Sequence, residues 1–369
     1  MNKPHVIVIG AGPGGLTATR HLAQSGQVNV TLIQRGGMAQ YLPGILPVLL
    51  GLRPVSTYYH ALHLPHVHIL AGEVVGLQVG RVDLVDGTVL EAEAVIAAPG
   101  LVSDTTASPV GAQLFSVWEL EAASIAYQTI QSFKAGRVVI AISSLPYRCP
   151  PAPYGLAIAL KAQMQERGSN FEVVLVTPET RPLQALGERA STFLEGLLRA
   201  GNIELYGGFH LDGTASGDGH LVATDGRNIP YDLGLIVPPH RLPAFLADLA
   251  GNGPLVQVDT FQHTAMDKTW VVGDVAATPL PRAAGVAEAQ GRTAAEAVLT
   301  TLGLSEAKVP IIPAPTCYVW TGSSSAARIQ LQFPNGLPPT GKPDLILDPP
   351  STTIFTEAFN TSKLWTQTA

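Results

Sequence analysis

The chain has 369 residues, of which 46% are hydrophobic and 14% charged, against about 25% charged in an average soluble domain. That composition excludes disorder, which needs low hydrophobicity and high charge, and at ~150 residues per domain the length argues for two domains. A formal net charge of −6 leaves no dominant basic surface for nucleic acid, and two cysteines, Cys149 and Cys317, are too few for a disulfide scaffold and lack metal-site spacing.

Val6 to Ile9 form an apolar run that enters a glycine motif directly. The run therefore reads as a buried strand and not as the core of a signal peptide. Gly10-Ala11-Gly12-Pro13-Gly14-Gly15 is the turn, 16–25 a helix and 28–34 a β-branched strand, which together make a βαβ unit. Gly10 permits the tight turn, Gly12 lets backbone approach a pyrophosphate, and Gly15 allows close helix–strand packing. Free N–H groups at the helix start complete an anion site, with a chance glycine turn as the alternative. The acid that ordinarily ends the second strand and bonds a ribose is replaced by Gln34 and Arg35. Gln34 suits a hydroxyl and Arg35 a 2′-phosphate, so this pair leaves the nucleotide open.

Residues 41–52 are strongly apolar but carry Pro43 and Pro47 and fall short of a ~18-residue membrane span, so they read as a buried loop and short helix. His60, His63, His66 and His68 suggest zinc by residue type. However, Pro65 breaks any helix, and His66 and His68 alternate along a strand, which favours a solvated strand. Residues 67–98 read as short antiparallel strands with a turn at Asp86-Gly87, and 95–98 lead into Pro99-Gly100.

A second α/β unit follows: helix 118–133, strand 137–143, helix 152–167, strand 171–177, helix 185–200 and strands ending at 232–237. Its first turn, Ser143-Ser144-Leu145-Pro146 and then Cys149-Pro150-Pro151, has no glycine fingerprint, and its prolines remove N–H donors. A second dinucleotide is not expected there. Trp270-Val271-Val272-Gly273-Asp274 is a buried strand ending in an acid, followed by an alanine-rich helix over 283–302. There Asp274 suits a ribitol hydroxyl while the helix start faces a flavin, with an ordinary turn as the alternative. The nucleotide site would then be built from both ends of the chain. Residues 310–369 hold short strands and prolines, and Ile354, Phe355, Ala358, Phe359 and Leu364 recur at roughly helical spacing. That stripe suits core, dimer contact or membrane contact.

Residues 10–15, 97–100, Gly273-Asp274 and 279–298 together look like two-dinucleotide-domain flavoproteins. The contexts of Cys149 (YRCPPAPYG) and Cys317 (CYVW) narrow the likeness, as do VTPE (176–179), VPPHR (237–241) and the tail AARI…FPNGLPPTGK. Across nearly its whole length the chain resembles the flavocytochrome c sulfide dehydrogenase flavoprotein and sulfide:quinone oxidoreductase family. The resemblance implies an α/β fold of two Rossmann-like domains: a flavin domain split over 1–108 and 241–309, a second domain over 109–240, and a C-terminal segment over 310–369 on the quinone side. It implies non-covalent FAD, with Gly10, Gly12, Gly15, Gln34, Arg35, Pro43, Val74, Ala97, Pro99, Gly100, Gly273, Asp274, Arg282 and Ala283 as candidate contacts and no metal. It also implies that Cys149 and Cys317 form a redox pair that oxidises sulfide or polysulfide and passes electrons to a quinone or a c-type cytochrome. A homodimer and a peripheral membrane contact are left open, and the expected location is cytoplasmic or peripheral on the inner membrane.

The chain departs from the family pattern at three places. Gly155 stands where a Glu usually follows Pro-Tyr, Arg282 stands where a Lys is usual, and no third cysteine exists to link the flavin covalently. Two rivals remain: an NAD(P)H:quinone type 2 dehydrogenase-like flavoenzyme, opposed by the missing second glycine motif, and a non-catalytic flavoprotein subunit, supported by Gly155 and Gln34.

Overall fold

The computed structural model describes residues 3–109, 111–169, 171–336 and 343–367, with side chains up to Asn360. The chain opens with strand β1 (His5–Ile9), helix α1 (Pro13–Ser25) and strand β2 (Asn29–Gln34). The short helix α2 (Ile45–Leu49), buried throughout, and strand β3 (Val67–Ala71) follow. Then come a three-stranded meander, β4 (Val74–Gln78), β5 (Arg81–Leu84) and β6 (Val89–Glu91), and strand β7 (Ala94–Ala97). Residues 67–71 do not begin an antiparallel set as the sequence suggests. β3 pairs parallel with β2, from Val30↔Val67 to Gln34↔Ala71. The long connection over 35–66 makes this possible, because parallel neighbours need a crossover where antiparallel ones need only a hairpin. The antiparallel strands are confined to the meander. His63, His66 and His68 are all exposed around the start of β3.

The second unit begins with β8 (Val102–Ser103), β9 (Leu114–Ser116), α3 (Leu120–Ser132), β10 (Gly136–Ile142) and α4 (Ala152–Glu166). It continues with β11 (Phe171–Val176), α5 (Glu188–Ala200), β12 (Glu204–Tyr206), β13 (Leu233–Val237) and β14 (His240–Arg241). The chain then returns with β15 (Thr269–Val271) and α6 (Ala284–Thr301). It closes with β16 (Thr316–Trp320), β17 (Ala326–Gln332), β18 (Asp344–Ser351) and α7 (Thr352–Gln367).

Two five-stranded sheets organise these elements. The first has the order β15-β7-β1-β2-β3 and the second β9-β13-β10-β11-β12, with every neighbouring pair parallel. β15 enters the first sheet beside β7, so the sheet is completed only after the second has been built. The fold is a mixed α/β architecture of two Rossmann-like units. The strands are covered on both faces, which explains their continuous apolar runs. Along β1, Val6 and Val8 pack on the helical side with Leu16 and Leu22, while Ile7 and Ile9 pack on the meander side with Val82. β10 divides likewise, Val138, Ile140 and Ile142 to one core and Val139 and Ala141 to another.

The C-terminal strands form an antiparallel sheet, β16-β17-β18. Ile354 of α7 is buried, and Phe355 and Phe359 pack edge-on to Trp320. The stripe read from the sequence is therefore core as far as its side chains are described; Leu364 and residues 337–342 of the tail pattern lie outside the described residues. Among the described residues no helix is long and apolar enough to cross a membrane.

Candidate active site

A cavity of about 940 Å³ runs from the glycine turn between β1 and α1 to both cysteines. At its first end the turn is fixed by close backbone approach. A side chain at Gly10, whose φ is +97°, would meet the Ala98 carbonyl oxygen at 2.4 Å, and one at Gly15 would meet the Gly10 carbonyl oxygen at 1.9 Å. A Cβ at Gly12 would meet nothing within 4 Å, so the turn is open on the cavity side. Pro13 begins α1, and the unpartnered N–H groups of that first turn make an anion cradle. Gln34 and Arg35 both line the cavity. The Gln34 side-chain Oε1 accepts from Ala11 N at 2.8 Å, so this residue braces the turn; Arg35 is exposed, 4.0 Å from Glu73.

In the middle of the cavity, Val272 leads into Gly273 at φ +80°, whose N–H donates to Gln290 on α6 at 2.7 Å. This contact presents Asp274, whose carboxyl is held above its usual value by burial, against the pull of Arg148 and Arg282. Arg282 is lowered by its own burial, and its Nε is buried without a hydrogen-bond partner. An elongated cavity with an anion cradle at one end, a half-buried carboxylate midway and an unsatisfied guanidinium nitrogen beside it fits FAD. Helix α6 reaches α1 because Gly291 carries no side chain: a Cβ there would lie 2.1 Å from the Gly14 carbonyl oxygen.

The far end holds the two thiols. Cys149, half-buried, sits on the loop before α4 with a φ of +54°; its N–H donates to the Arg282 carbonyl at 3.2 Å, and its carbonyl accepts from Ala152 N at 2.9 Å. Cys317, buried, lies on β16 opposite Ile329. Burial raises both thiols above the usual range, Cys317 to about 11. For Cys149 the neighbouring Cys317 and Asp274 raise it further, while the Ala152 N–H and Arg148 oppose them.

Polar groups flank the Cys149 loop on both sides. Arg148, 8% exposed, donates from Nη2 to the Trp118 carbonyl at 2.5 Å, to Glu119 at 2.8 Å and to Ser103 Oγ at 3.0 Å, and from Nε to His240 at 3.1 Å. Trp118 returns a bond from its indole N–H to the Arg148 carbonyl. Tyr147 lies 2.9 Å from the Pro150 carbonyl and 3.2 Å from the buried Glu179 carboxylate, to which Tyr154 also donates. Glu179 follows β11, where a second dinucleotide domain would offer a ribose-binding acid; here it is turned into the protein. Gly155 packs α4 onto β16, since a Cβ there would lie 2.9 Å from Trp320 N.

Of the residues singled out in the sequence, Gly10, Gly12, Gln34, Arg35, Pro43, Pro99, Gly100, Cys149, Gly273, Asp274, Arg282, Ala283 and Cys317 line this one cavity. Gly15 and Ala97 support it from behind, and Val74 packs against the meander core instead. Sequence reasoning passed over Gln290, Trp118, Glu119 and Arg148. Only the position of Arg148, next to Cys149, offered a signal.

Residues 4–291 match the model of the pyridine nucleotide-disulphide oxidoreductase family. Among solved structures, the sulfide:quinone oxidoreductase of the hyperthermophilic bacterium Aquifex aeolicus superposes with a TM-score of 0.82 at 16% identity, over 99% of this chain and 92% of that one. A ferredoxin reductase from Rhodopseudomonas palustris gives 0.69 at 18%, over 90% and 83%. An NAD-dependent persulfide reductase from A. fulgidus gives 0.66 at 18%, over 89% and 64%. At these identities the likeness is one of fold.

Proposed function

Because the chain belongs to the pyridine nucleotide-disulphide oxidoreductase family, with FAD as its cofactor, we propose that it oxidises sulfide or a related sulfur species through Cys149 and Cys317 and passes the electrons to a quinone. One observation carries this reading. The chain has only two cysteines, 168 positions apart (317 − 149 = 168), and both line the cavity that holds the glycine turn and Asp274.

The oxidised pair accepts attack by hydrosulfide on one of its sulfurs. The new S–S bond makes a persulfide as the old one breaks, and its electron pair leaves on the other cysteine as a thiolate. A second hydrosulfide attacks the outer sulfur of that persulfide and carries it away as HSS−, the bond to the cysteine breaking with its electron pair left on the cysteine sulfur, so that both cysteines are reduced. Bound FAD supplies the two-electron acceptor that returns the pair to its oxidised state. The glycine turn would hold the pyrophosphate and Asp274 a ribitol hydroxyl, and Arg282 would offer its unsatisfied N–H to the cofactor. The Ala152 N–H and Arg148 favour the thiolate form of Cys149 that exchange requires. Tyr41, Leu42, Ile45, Leu46 and Trp320 give the cavity an apolar wall, which suits a quinone better than a cytochrome docking surface.

Anaerobic titration tests the reading. Sulfide is expected to bleach the yellow protein, NADH to leave it coloured, and Cys149→Ser and Cys317→Ser each to abolish bleaching. Bleaching by NADH alone would transfer the chain to the type 2 dehydrogenase class, and sulfide bleaching that survives either serine variant would sink the cysteine mechanism.

A further inference from the structure

Cys149 adopts a backbone conformation that L-residues rarely hold, with φ +54°. For a residue with a side chain this conformation is strained and persists only where the surroundings over-determine it. The strongest restraint sits one residue earlier. Arg148 reaches four acceptors on three separate segments: the Trp118 carbonyl and Glu119 before α3, Ser103 on β8 and His240 on β14. Ser103 and His240 are themselves paired across the two-stranded β8–β14 ribbon. His240 is held neutral, its ring lowered to about 3 by burial and by Arg148, so its Nε2 is free to accept. The guanidinium thus has a fixed position and a permanent charge, and Glu119 is its only carboxylate partner in an ion pair among the described residues.

We propose that Arg148 is the positioning residue of Cys149: its clamp on three segments imposes the left-handed backbone that directs the sulfur into the cavity and fixes a guanidinium, paired with Glu119, one residue from it. The proposal rests on the reading of Cys149 as a redox thiol. The charged and titratable groups that act on that sulfur are Cys317, Asp274 and Arg148, of which only Arg148 favours ionisation.

The test uses FAD-loaded protein carrying Cys317→Ser, so that Cys149 is the single thiol, and reads its alkylation rate by monobromobimane against pH, with flavin absorbance confirming that each variant is folded and loaded. Arg148→Gln is expected to lower the rate at pH 8 about tenfold by moving the titration up roughly one unit. Arg148→Lys should recover most of that rate because it restores the charge. Glu119→Gln should act in the opposite direction and raise the rate above the parent, because the guanidinium is then unopposed. A purely structural role predicts the same sign for both neutral variants. An unchanged titration in Arg148→Gln, or a slowed rate in Glu119→Gln, overturns the proposal. These readouts need no sulfide turnover, so failure of the sulfide reading appears separately, as sulfide bleaching that survives Cys149→Ser.

Discussion

Gly155 shows how a single missing side chain sets the approach of the two elements that carry the cysteines. The resemblance leads one to expect a carboxylate at this position. Instead the bare Cα lets α4, which follows Cys149, rest on the backbone of β16, which carries Cys317. A Cβ at 2.9 Å from a backbone nitrogen cannot be relieved by rotating a neighbour's side chain, so one of the two elements must move. Gly155→Ala is expected to destabilise the protein by ~1–3 kcal/mol in urea unfolding, although alanine is otherwise the better helix former. A variant as stable as the parent would show that β16 yields freely. Gln34 teaches a related lesson. The sequence offers it to a ribose hydroxyl beside the cationic Arg35, and in the fold its side-chain oxygen also braces the glycine turn by accepting from Ala11 N.

At the scale of elements, β8 and β14 form a ribbon of two residues each, too short to be read from periodicity, yet it anchors the loop of Cys149 through Ser103 and His240. The neutral His240 gives this junction a pH dependence. Its folded value, about 3, lies below its usual 6.5, so its contribution to stability is complete above pH 6.5 and is lost as pH falls toward 3. Between pH 7 and pH 5 the parent should lose about 2 kcal/mol more than His240→Gln, which keeps an acceptor but does not titrate. Equal losses in chemical denaturation at the two pH values would contradict this. The glycine turn and the Gly273-Asp274 turn were legible because backbone geometry confines them to few residue types, and the sheet strands because burial on both faces leaves continuous apolar runs. The parallel pairing of β3 was not, since a strand of five residues carries no record of its partner's direction. Gln290 and Glu119 were invisible for the same reason, since each acts on a group from a distant segment, and Arg148 was marked only by its place beside Cys149.

The whole molecule is organised by a chain that leaves its first sheet after β7, builds a second sheet, and comes back with β15 and α6. The cofactor cavity depends on that return, because Asp274, Arg282 and Ala283 enter it only then. A chain ending before residue 269 is expected to retain no flavin on purification, judged by absorbance near 450 nm; a yellow truncated protein would contradict the shared construction of the site. The late closure of α6 against α1 has a consequence for biosynthesis. Gly14 meets Gly291 only after 277 further residues (291 − 14 = 277) have been added, on the order of tens of seconds at ~5–20 residues per second. During that interval β7 presents an unpaired, fully apolar edge where β15 will later lie, the kind of edge that recruits other chains. Cofactor loading is therefore a late event in the life of the nascent chain, and the yield of sound protein depends on how well that edge is shielded until residue 271 has left the ribosome.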